Sequence, residues 1–157
     1  MSEDQTGQAI PDVTMVRPDG SEVSASDYKG KPWVLYFYPK DDTPGCTKEA
    51  LQFTELKPEF DKLGVSILGV SKDPPKKHTK FIDKHDLAIE LASDEEVEMA
   101  EAMGVWVEKS MYGKTYMGLE RSTFLIDAEG KIAKAWRKVK VKEHGAAVLE
   151  AARELVA

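Results

Sequence analysis

The chain contains a single cysteine, Cys46, in the stretch YFYPKDDTPGCTKEA. It follows an apolar run and a Pro-Gly pair, and it precedes a segment with helical periodicity. The first turn of a helix has unpaired backbone N–H groups and a positive dipole end, which favour a negative charge. A thiolate is therefore stabilised at this position, and the thiolate is the nucleophilic form of cysteine. Cys46 is the first candidate for chemistry in this sequence.

The competing interpretation is that Cys46 only fills space. A lone cysteine in a cytosolic protein is most often a small buried hydrophobic residue. The strand–Thr-Pro-Gly-Cys–helix setting favours a reactive thiol, but a helix start is often half-buried in any case. On the residues alone both interpretations stay open.

Composition bounds the class of protein. The chain has 157 residues, 41% hydrophobic and 32% charged, with a net charge of -6, and these values predict one soluble globular domain spanning residues 1–157. Acidic and basic residues are interleaved without a basic stripe, which argues against nucleic-acid or membrane partners. The polar, acidic N-terminus lacks the features of a signal peptide. We therefore expect a cytoplasmic protein.

The pattern of apolar residues predicts a series of strands. A turn signal at residues 17–20 lies between two short extended segments, which predicts an N-terminal hairpin. Continuous rather than alternating apolarity predicts strands buried on both faces. The predicted strands are residues 13–16, 22–24, 33–38, 65–70, 88–91, 122–127 and 132–139, the last two forming a hairpin, whereas residues 105–118 are predicted to be irregular.

Four helices are predicted between and after these strands. Thr43 is the expected N-cap and Pro44 the first residue of a helix that ends at Gly64. Pro58 lies inside this helix, so a kink or restart is expected there. The other helices are predicted to begin at residue 74 or 75, at residues 93–96, and near residue 143, and the third is expected to end at Gly104.

Alternating β and α units imply mostly parallel strand pairing, to which the last hairpin adds an antiparallel edge. This order predicts an α/β fold with a mixed central sheet and an N-terminal β-hairpin. It is compatible with a thioredoxin-like three-layer sandwich. Local patterns alone do not choose that fold over another small α/β fold.

The segment from Pro39 to Cys46 matches the Pro-x-x-x-Thr-x-x-Cys motif of peroxiredoxins. The longer stretch resembles the branch called peroxiredoxin Q, or bacterioferritin comigratory protein. The likeness continues through GVSKD, LASDEE, GVW with EKSMYGKTYMG, and RSTFLIDAEGKI, so it covers nearly the whole chain. It implies a thioredoxin fold and a thiol peroxidase that reduces hydrogen peroxide and organic hydroperoxides.

The resemblance also implies roles for individual residues. Cys46 is similar to the peroxidatic nucleophile, which becomes a sulfenic acid. Thr43 would hydrogen-bond the peroxide and the sulfur, and Pro39 would shield the site from water. Arg121, on the strand beginning RSTFLID, would lie near the thiolate, and Glu49 would support the site. Taken singly, Thr43 is equally explained as a cap, Pro39 as a strand terminator, and Arg121 as an ion-pair partner of Glu120.

The chain departs from its branch in lacking a resolving cysteine. Many members carry one five residues after the first, where this chain has Leu51, a residue that fits the apolar face of the predicted helix. Others carry one near Phe81 and Ile82. The resemblance to one-cysteine members implies that thioredoxin, glutaredoxin or a small thiol regenerates Cys46. It also implies a monomer.

Other residue patterns are less informative. His78, His85 and His144 are too scattered to predict a metal site, and a solvated helix face explains the first two. The aromatic residues predict core packing, with Trp106 and Tyr112 as candidates for a pocket rim. No phosphate-binding glycine loop occurs, so no cofactor is expected. Two alternatives to the peroxidase remain: a redox-sensing or thiol-binding module with little turnover, and an interaction domain with an inert cysteine.

Overall fold

The computed structural model describes residues 5–157. In this part of the chain a seven-stranded mixed sheet has the order β2-β1-β5-β4-β3-β8-β9, and a separate ribbon pairs β6 with β7. The strands are β1 (Met15–Val16), β2 (Glu22–Val23), β3 (Trp33–Phe37), β4 (Ser66–Ser71), β5 (Glu90–Ser93), β6 (Trp106–Met111), β7 (Lys114–Leu119), β8 (Ser122–Ile126) and β9 (Ile132–Trp136). The α-helices are α1 (Pro44–Lys62), α2 (Pro75–His85), α3 (Glu98–Ala102) and α4 (His144–Val156).

Strand β3 is an interior strand of the sheet, between β4 and β8, and is fully buried. It pairs in parallel with β4 and antiparallel with β8. Its side chains alternate between two hydrophobic clusters, with Trp33, Leu35 and Phe37 on one face and Val34 and Tyr36 on the other. The α/β sandwich with a mixed central sheet, expected from the sequence, is therefore confirmed, because apolar layers cover both faces of the sheet.

The predicted N-terminal hairpin is confirmed, although its strands are shorter than expected. Val16 pairs with Glu22 and also with Ser93. The hairpin is therefore an edge of the central sheet rather than a separate ribbon.

Helix α1 begins and ends close to its predicted limits. Thr43 has an extended backbone (φ -95°, ψ 156°) and Pro44 is the first helical residue. The helix continues through Pro58 without the restart that the sequence suggested. Leu51, expected on the apolar face of this helix, is 41% exposed. That expectation was wrong, because the buried face of α1 carries Ala50 and Phe53 instead.

Residues 105–118 are not irregular, as the sequence had suggested. They form the antiparallel ribbon of β6 and β7. Tyr112 and Gly113 connect these strands, and both have positive φ (53° and 77°), which is the geometry of a tight two-residue hairpin turn. The ribbon was missed because most of its residues are exposed, so the sequence lacks an apolar alternation. Tyr112, at the tip of the ribbon, is 95% exposed, so the core packing expected of the aromatic residues does not extend to it, and its place on a pocket rim stays a prediction.

The third helix begins later than predicted. Ser93 ends β5, and α3 starts only at Glu98. The carboxylate of Asp94 accepts hydrogen bonds from the backbone N–H groups of Met99 (3.2 Å) and Ala100 (2.8 Å). The acidic run therefore caps this helix from a turn instead of forming its first residues.

Candidate active site

Cys46 lies at the start of α1, directly after the loop that leaves the end of β3. It is the third residue of the helix and only 1% exposed. Tyr38 is the last residue to continue the ladder, because its N–H donates to the Val70 carbonyl and the next residue, Pro39, has no N–H. The chain therefore leaves the sheet at Pro39 and delivers Cys46 at the carboxyl end of a central strand.

Arg121 directly contacts the thiol. Its Nη2 donates to Cys46 Sγ at 3.3 Å, and its Nη1 donates to Glu49 Oε1 at 2.8 Å. Arg121 immediately precedes β8, whose first residue, Ser122, pairs with Phe37 at the end of β3. The antiparallel pairing of β8 with β3 therefore brings together two groups that are 75 residues apart in sequence. Arg121 does not pair with Glu120, which binds Arg137 instead.

A small residue at position 45 leaves room for this arginine. A Cβ atom at Gly45 would lie 3.2 Å from Arg121 Nη2. Any larger side chain would therefore press on the guanidinium that holds the sulfur. This explains why a glycine precedes the cysteine.

Glu49 is buried one helical turn after Cys46, with a relative exposure of 0%. Its Oε1 accepts from Arg121, whereas its Oε2 is buried without a hydrogen-bond partner in the described chain. Burial raises the pKa of Glu49 from 4.5 to about 7, although the Arg121 charge and hydrogen bond act in the opposite direction. A group with such a pKa changes its charge near neutral pH, beside the sulfur.

His144 approaches Glu49 from the first turn of α4. Its Nε2 is 3.9 Å from Glu49 Oε2 and 2.8 Å from the Thr123 hydroxyl. Burial, and then the nearby Arg121 charge, lowers the pKa of His144 to about 4. The ring is therefore neutral at pH 7. Sequence reasoning missed His144 and Thr123 because no spacing in the chain links them to the cysteine.

We refer to this group as the Cys46 cluster. Its members are the nucleophile candidate, the two charged groups bound to each other, and the histidine and threonine behind them: Cys46, Glu49, Arg121, Thr123 and His144.

Thr43 and Pro39, the other predicted site residues, lie on the loop before the helix. The Thr43 hydroxyl donates to the Lys40 carbonyl at 2.8 Å. No bond from it to Sγ occurs in residues 5–157, so its contact with sulfur or peroxide stays a prediction. Pro39 is exposed, and its shielding role likewise stays a prediction. The sequence-predicted residues Cys46, Arg121 and Glu49 are thus in contact, whereas these two border them.

A second buried polar cluster anchors the other side of this loop. His78 Nδ1 is 2.7 Å from Asp41 Oδ2, and its Nε2 is 3.0 Å from the Ala92 carbonyl. The Asp41 N–H donates to Asp73 Oδ2 at 2.8 Å. We call this the Asp41 cluster, and its members are Tyr38, Asp41, Ser71, Asp73 and His78.

The expectation that His78 lies on a solvated helix face was wrong. It is 0% exposed and is bound on both ring nitrogens. His85, seven residues later, is the partly exposed member of the pair and binds Asp42 at 2.8 Å. Within residues 5–157 no group of three or more His, Cys, Asp or Glu side chains is arranged to hold a metal ion.

The chain matches one family over most of its length. The sequence profile of the AhpC/TSA family matches residues 6–135. The chain belongs to the AhpC/TSA family. It is 51% identical to peroxiredoxin Bcp of Bacillus subtilis over 151 residues, which cover 96% of each chain. It is 49% identical to peroxiredoxin Bcp of Xanthomonas campestris over 140 residues, covering 89% of this chain and 88% of that relative.

The fold agrees with a solved structure from the same branch. The Xanthomonas campestris bacterioferritin comigratory protein is 43% identical, covers 100% of both chains and has a TM-score of 0.91. The predicted resemblance to the peroxiredoxin Q branch is confirmed, and the chain is a thiol peroxidase. None of the helices in residues 5–157 is both long and apolar enough to cross a membrane.

Proposed function

We propose that Cys46 is the peroxidatic nucleophile and that the chain reduces both hydrogen peroxide and organic hydroperoxides. The observation that carries the proposal is the Arg121 guanidinium, bound at once to the Cys46 sulfur and to the buried Glu49. The guanidinium places a positive charge in hydrogen-bond contact with the sulfur, and a cation there stabilises the negative charge of the reacting atoms. The Xanthomonas campestris relative was solved in trapped intermediate and ligand complexes that concern its alkyl peroxide reduction.

The reaction follows from these contacts. The Cys46 thiolate attacks one peroxide oxygen, so that an S–O bond forms as the O–O bond breaks. The other oxygen leaves as hydroxide or alkoxide, takes up a proton, and becomes water or an alcohol. Cys46 is oxidised to a sulfenic acid while the peroxide is reduced by two electrons. Arg121 stabilises the negative charge that moves from sulfur to the leaving oxygen.

Thr43 orients the peroxide in this proposal. Its hydroxyl hydrogen is donated to the Lys40 carbonyl, so its oxygen can act only as an acceptor toward a peroxide. A hydroperoxide O–H can donate to that oxygen. Pro39 lies on the same loop. Because it has no N–H to bind water, it limits the number of water molecules that compete with peroxide for the site.

Regeneration requires a thiol from outside the chain, since Cys46 is the only cysteine. We propose that the protein acts as a one-cysteine peroxidase, as one domain over residues 1–157, in the cytoplasm, where thiol pools remain reduced. The resemblance to its branch supports a monomer, which sedimentation analysis of the reduced and oxidised forms would test.

Peroxide consumption tests the proposal. Purified protein should remove hydrogen peroxide and an alkyl hydroperoxide repeatedly when dithiothreitol is supplied, and Cys46→Ser should abolish both activities. One rapid oxidation of Cys46 without repeated turnover would instead favour the redox-sensing module. No rapid oxidation would contradict both.

A further inference from the structure

Five exposed lysines lie along one border of the loop at residues 39–43, in a chain whose net charge is -6. Helix α2 packs beside the loop through the Asp41 cluster. The exposed lysines on and just before this helix are Lys72, Lys76, Lys77, Lys80 and Lys84. The lysines within the helix, from Lys76 to Lys84, extend over about 12 Å of its length, because each residue adds about 1.5 Å.

A cleft of about 420 Å³ separates α2 from the loop. Its lining comprises Asp41, Asp42, Lys77, Lys80, Phe81 and Lys84. Lys84 is neutralised, because its Nζ binds Asp42 Oδ2 at 2.7 Å. Lys77 and Lys80 have no ion-pair partner among residues 5–157. Two cations without an ion pair therefore border a cleft next to the loop that leads to Cys46, and the Asp41 carboxylate in its lining is bound to Tyr38 and His78.

The proposed catalytic cycle requires an external thiol that reaches Cys46. A dithiol reduces the sulfenic acid in two steps. Its first sulfur attacks the Cys46 sulfur, so that an S–S bond forms and the S–O bond breaks with loss of water. Its second sulfur then attacks its own partner sulfur in that mixed disulfide, which releases Cys46 as a thiol and leaves the dithiol oxidised to a disulfide.

We propose that the Lys77–Lys80 face of α2 docks an acidic face of a protein dithiol, with one of its carboxylates entering the cleft. The inference rests on the proposed function, and it names the partner of the same site. Charge complementarity carries it: the chain as a whole repels an acidic protein, whereas this face attracts one and orients it toward Cys46. The spread of the lysines over about two helical turns matches a protein surface better than a single small anionic thiol.

Charge reversal on α2 tests the docking face. The variant is the double substitution Lys77→Glu and Lys80→Glu, and the probe is a thioredoxin of negative net charge, recycled by its reductase and NADPH. We expect kcat/KM for thioredoxin to fall on the order of ten-fold at low ionic strength. The deficit should shrink at high ionic strength, because salt screens exposed charges. Oxidation by hydrogen peroxide and recycling by dithiothreitol should be unchanged.

The matched control is Lys31→Glu with Lys131→Glu. Both lysines are exposed and lie at the opposite end of β3, near the hydrogen bond from Gly30 N–H to the Ala128 carbonyl. This control changes net charge by the same amount. Equal losses in the two double variants would mean that only net charge matters, and would overturn the proposal, as would no loss in the α2 variant.

Two further results have distinct meanings. If the α2 variant loses its rate with glutathione but not with thioredoxin, the cleft serves a small anionic thiol and the protein-docking proposal is wrong. If hydrogen peroxide fails to oxidise Cys46 in the unaltered protein, the proposed function fails first and the docking proposal falls with it.

Discussion

The two buried polar clusters on either side of the loop at residues 39–43 use similar groups in opposite ways. In the Asp41 cluster every buried side-chain N or O atom has a hydrogen-bond partner within the described chain. In the Cys46 cluster Glu49 Oε2 has none, and burial works against the Glu49 charge. A fully satisfied buried network holds a backbone in place, whereas an incompletely satisfied one destabilises the fold and leaves its groups available for reaction. The Asp41 cluster is thus built to position the loop, whereas the Cys46 cluster is the one that we propose reacts with peroxide.

Breaking the satisfied cluster should have the largest effect on stability. His78→Ala removes the partner of the buried Asp41, and removing one partner of a buried pair costs about 3–5 kcal/mol. Urea unfolding at pH 7 measures this loss. His85→Ala on the same helix is the control, because its pair with Asp42 is partly exposed and such pairs contribute less than about 1 kcal/mol. Equal losses in the two variants would show that the Asp41 cluster has no special structural role.

Breaking the Cys46 cluster should have the largest effect on the rate at which peroxide oxidises Cys46. Arg121→Ala removes the cation bound to the sulfur, and loss of one such donor slows a reaction by roughly 10²–10³-fold. Stopped-flow oxidation by hydrogen peroxide measures it. The control is Arg137→Ala, which removes a similar ion pair, with Glu120 at 2.6 Å, without touching Cys46. A rate in Arg121→Ala within a factor of two of the control would remove Arg121 from the mechanism.

Replacing the unsatisfied carboxylate should stabilise the protein. The pKa of Glu49 is raised in the fold, so the folded state binds its proton more tightly than the unfolded state. Stability from this group is therefore complete below about pH 4.5 and is lost as pH rises through 7. Glu49→Gln mimics the protonated form and should gain up to roughly 3 kcal/mol at pH 8, with no gain at pH 4.

Glu120→Gln is the contrasting variant for that measurement. The carboxylate of Glu120 accepts hydrogen bonds from Arg137 and Ser122, so its replacement should destabilise the protein at pH 8. Both variants can be followed by thermal unfolding. A loss of stability in both would refute the difference drawn between a satisfied and an unsatisfied carboxylate.

Replacing His144 should change the shape of the pH–stability curve. The pKa of His144 is lowered in the fold to about 4, so stability from this group increases as pH rises from 4 to 6.5, opposite to the trend of Glu49. The two trends offset one another in the unaltered protein. Relative to the unaltered protein, the His144→Gln variant should become progressively less stable as pH rises from 4 to 6.5. If the pH–stability curves of His144→Gln and the unaltered protein were parallel, the burial of His144 would not lower its pKa as described.

The sequence predicted the central part of the fold because the information there is local. The continuous apolar run of β3 and the Thr-Pro-Gly start of α1 predicted the strand, the helix and the position of Cys46. The resemblance to peroxiredoxins singled out Arg121 and Glu49, although no local pattern brings them to the sulfur.

The remaining features depend on contacts between distant segments. His144 joins the Cys46 cluster only because α4 packs against α1, and His78 is buried only because α2 covers the loop at Asp41. The ribbon of β6 and β7 was missed for a different reason. An exposed ribbon needs no apolar alternation in its sequence. Its turn also places Tyr112 at a positive φ, which non-glycine residues rarely adopt and which the sequence therefore does not predict.

The measurement that tests the central claim most directly compares the same cysteine with and without its cluster. One equivalent of hydrogen peroxide is added to native protein and to urea-unfolded protein at the same pH, and mass spectrometry follows the sulfenic acid on Cys46 over time. If the Cys46 cluster activates the sulfur, the native protein should be oxidised at least 10²-fold faster than the unfolded chain, in keeping with the contribution of oriented charged donors. Equal rates would contradict the account, because the fold would then add nothing to the reactivity of the thiol.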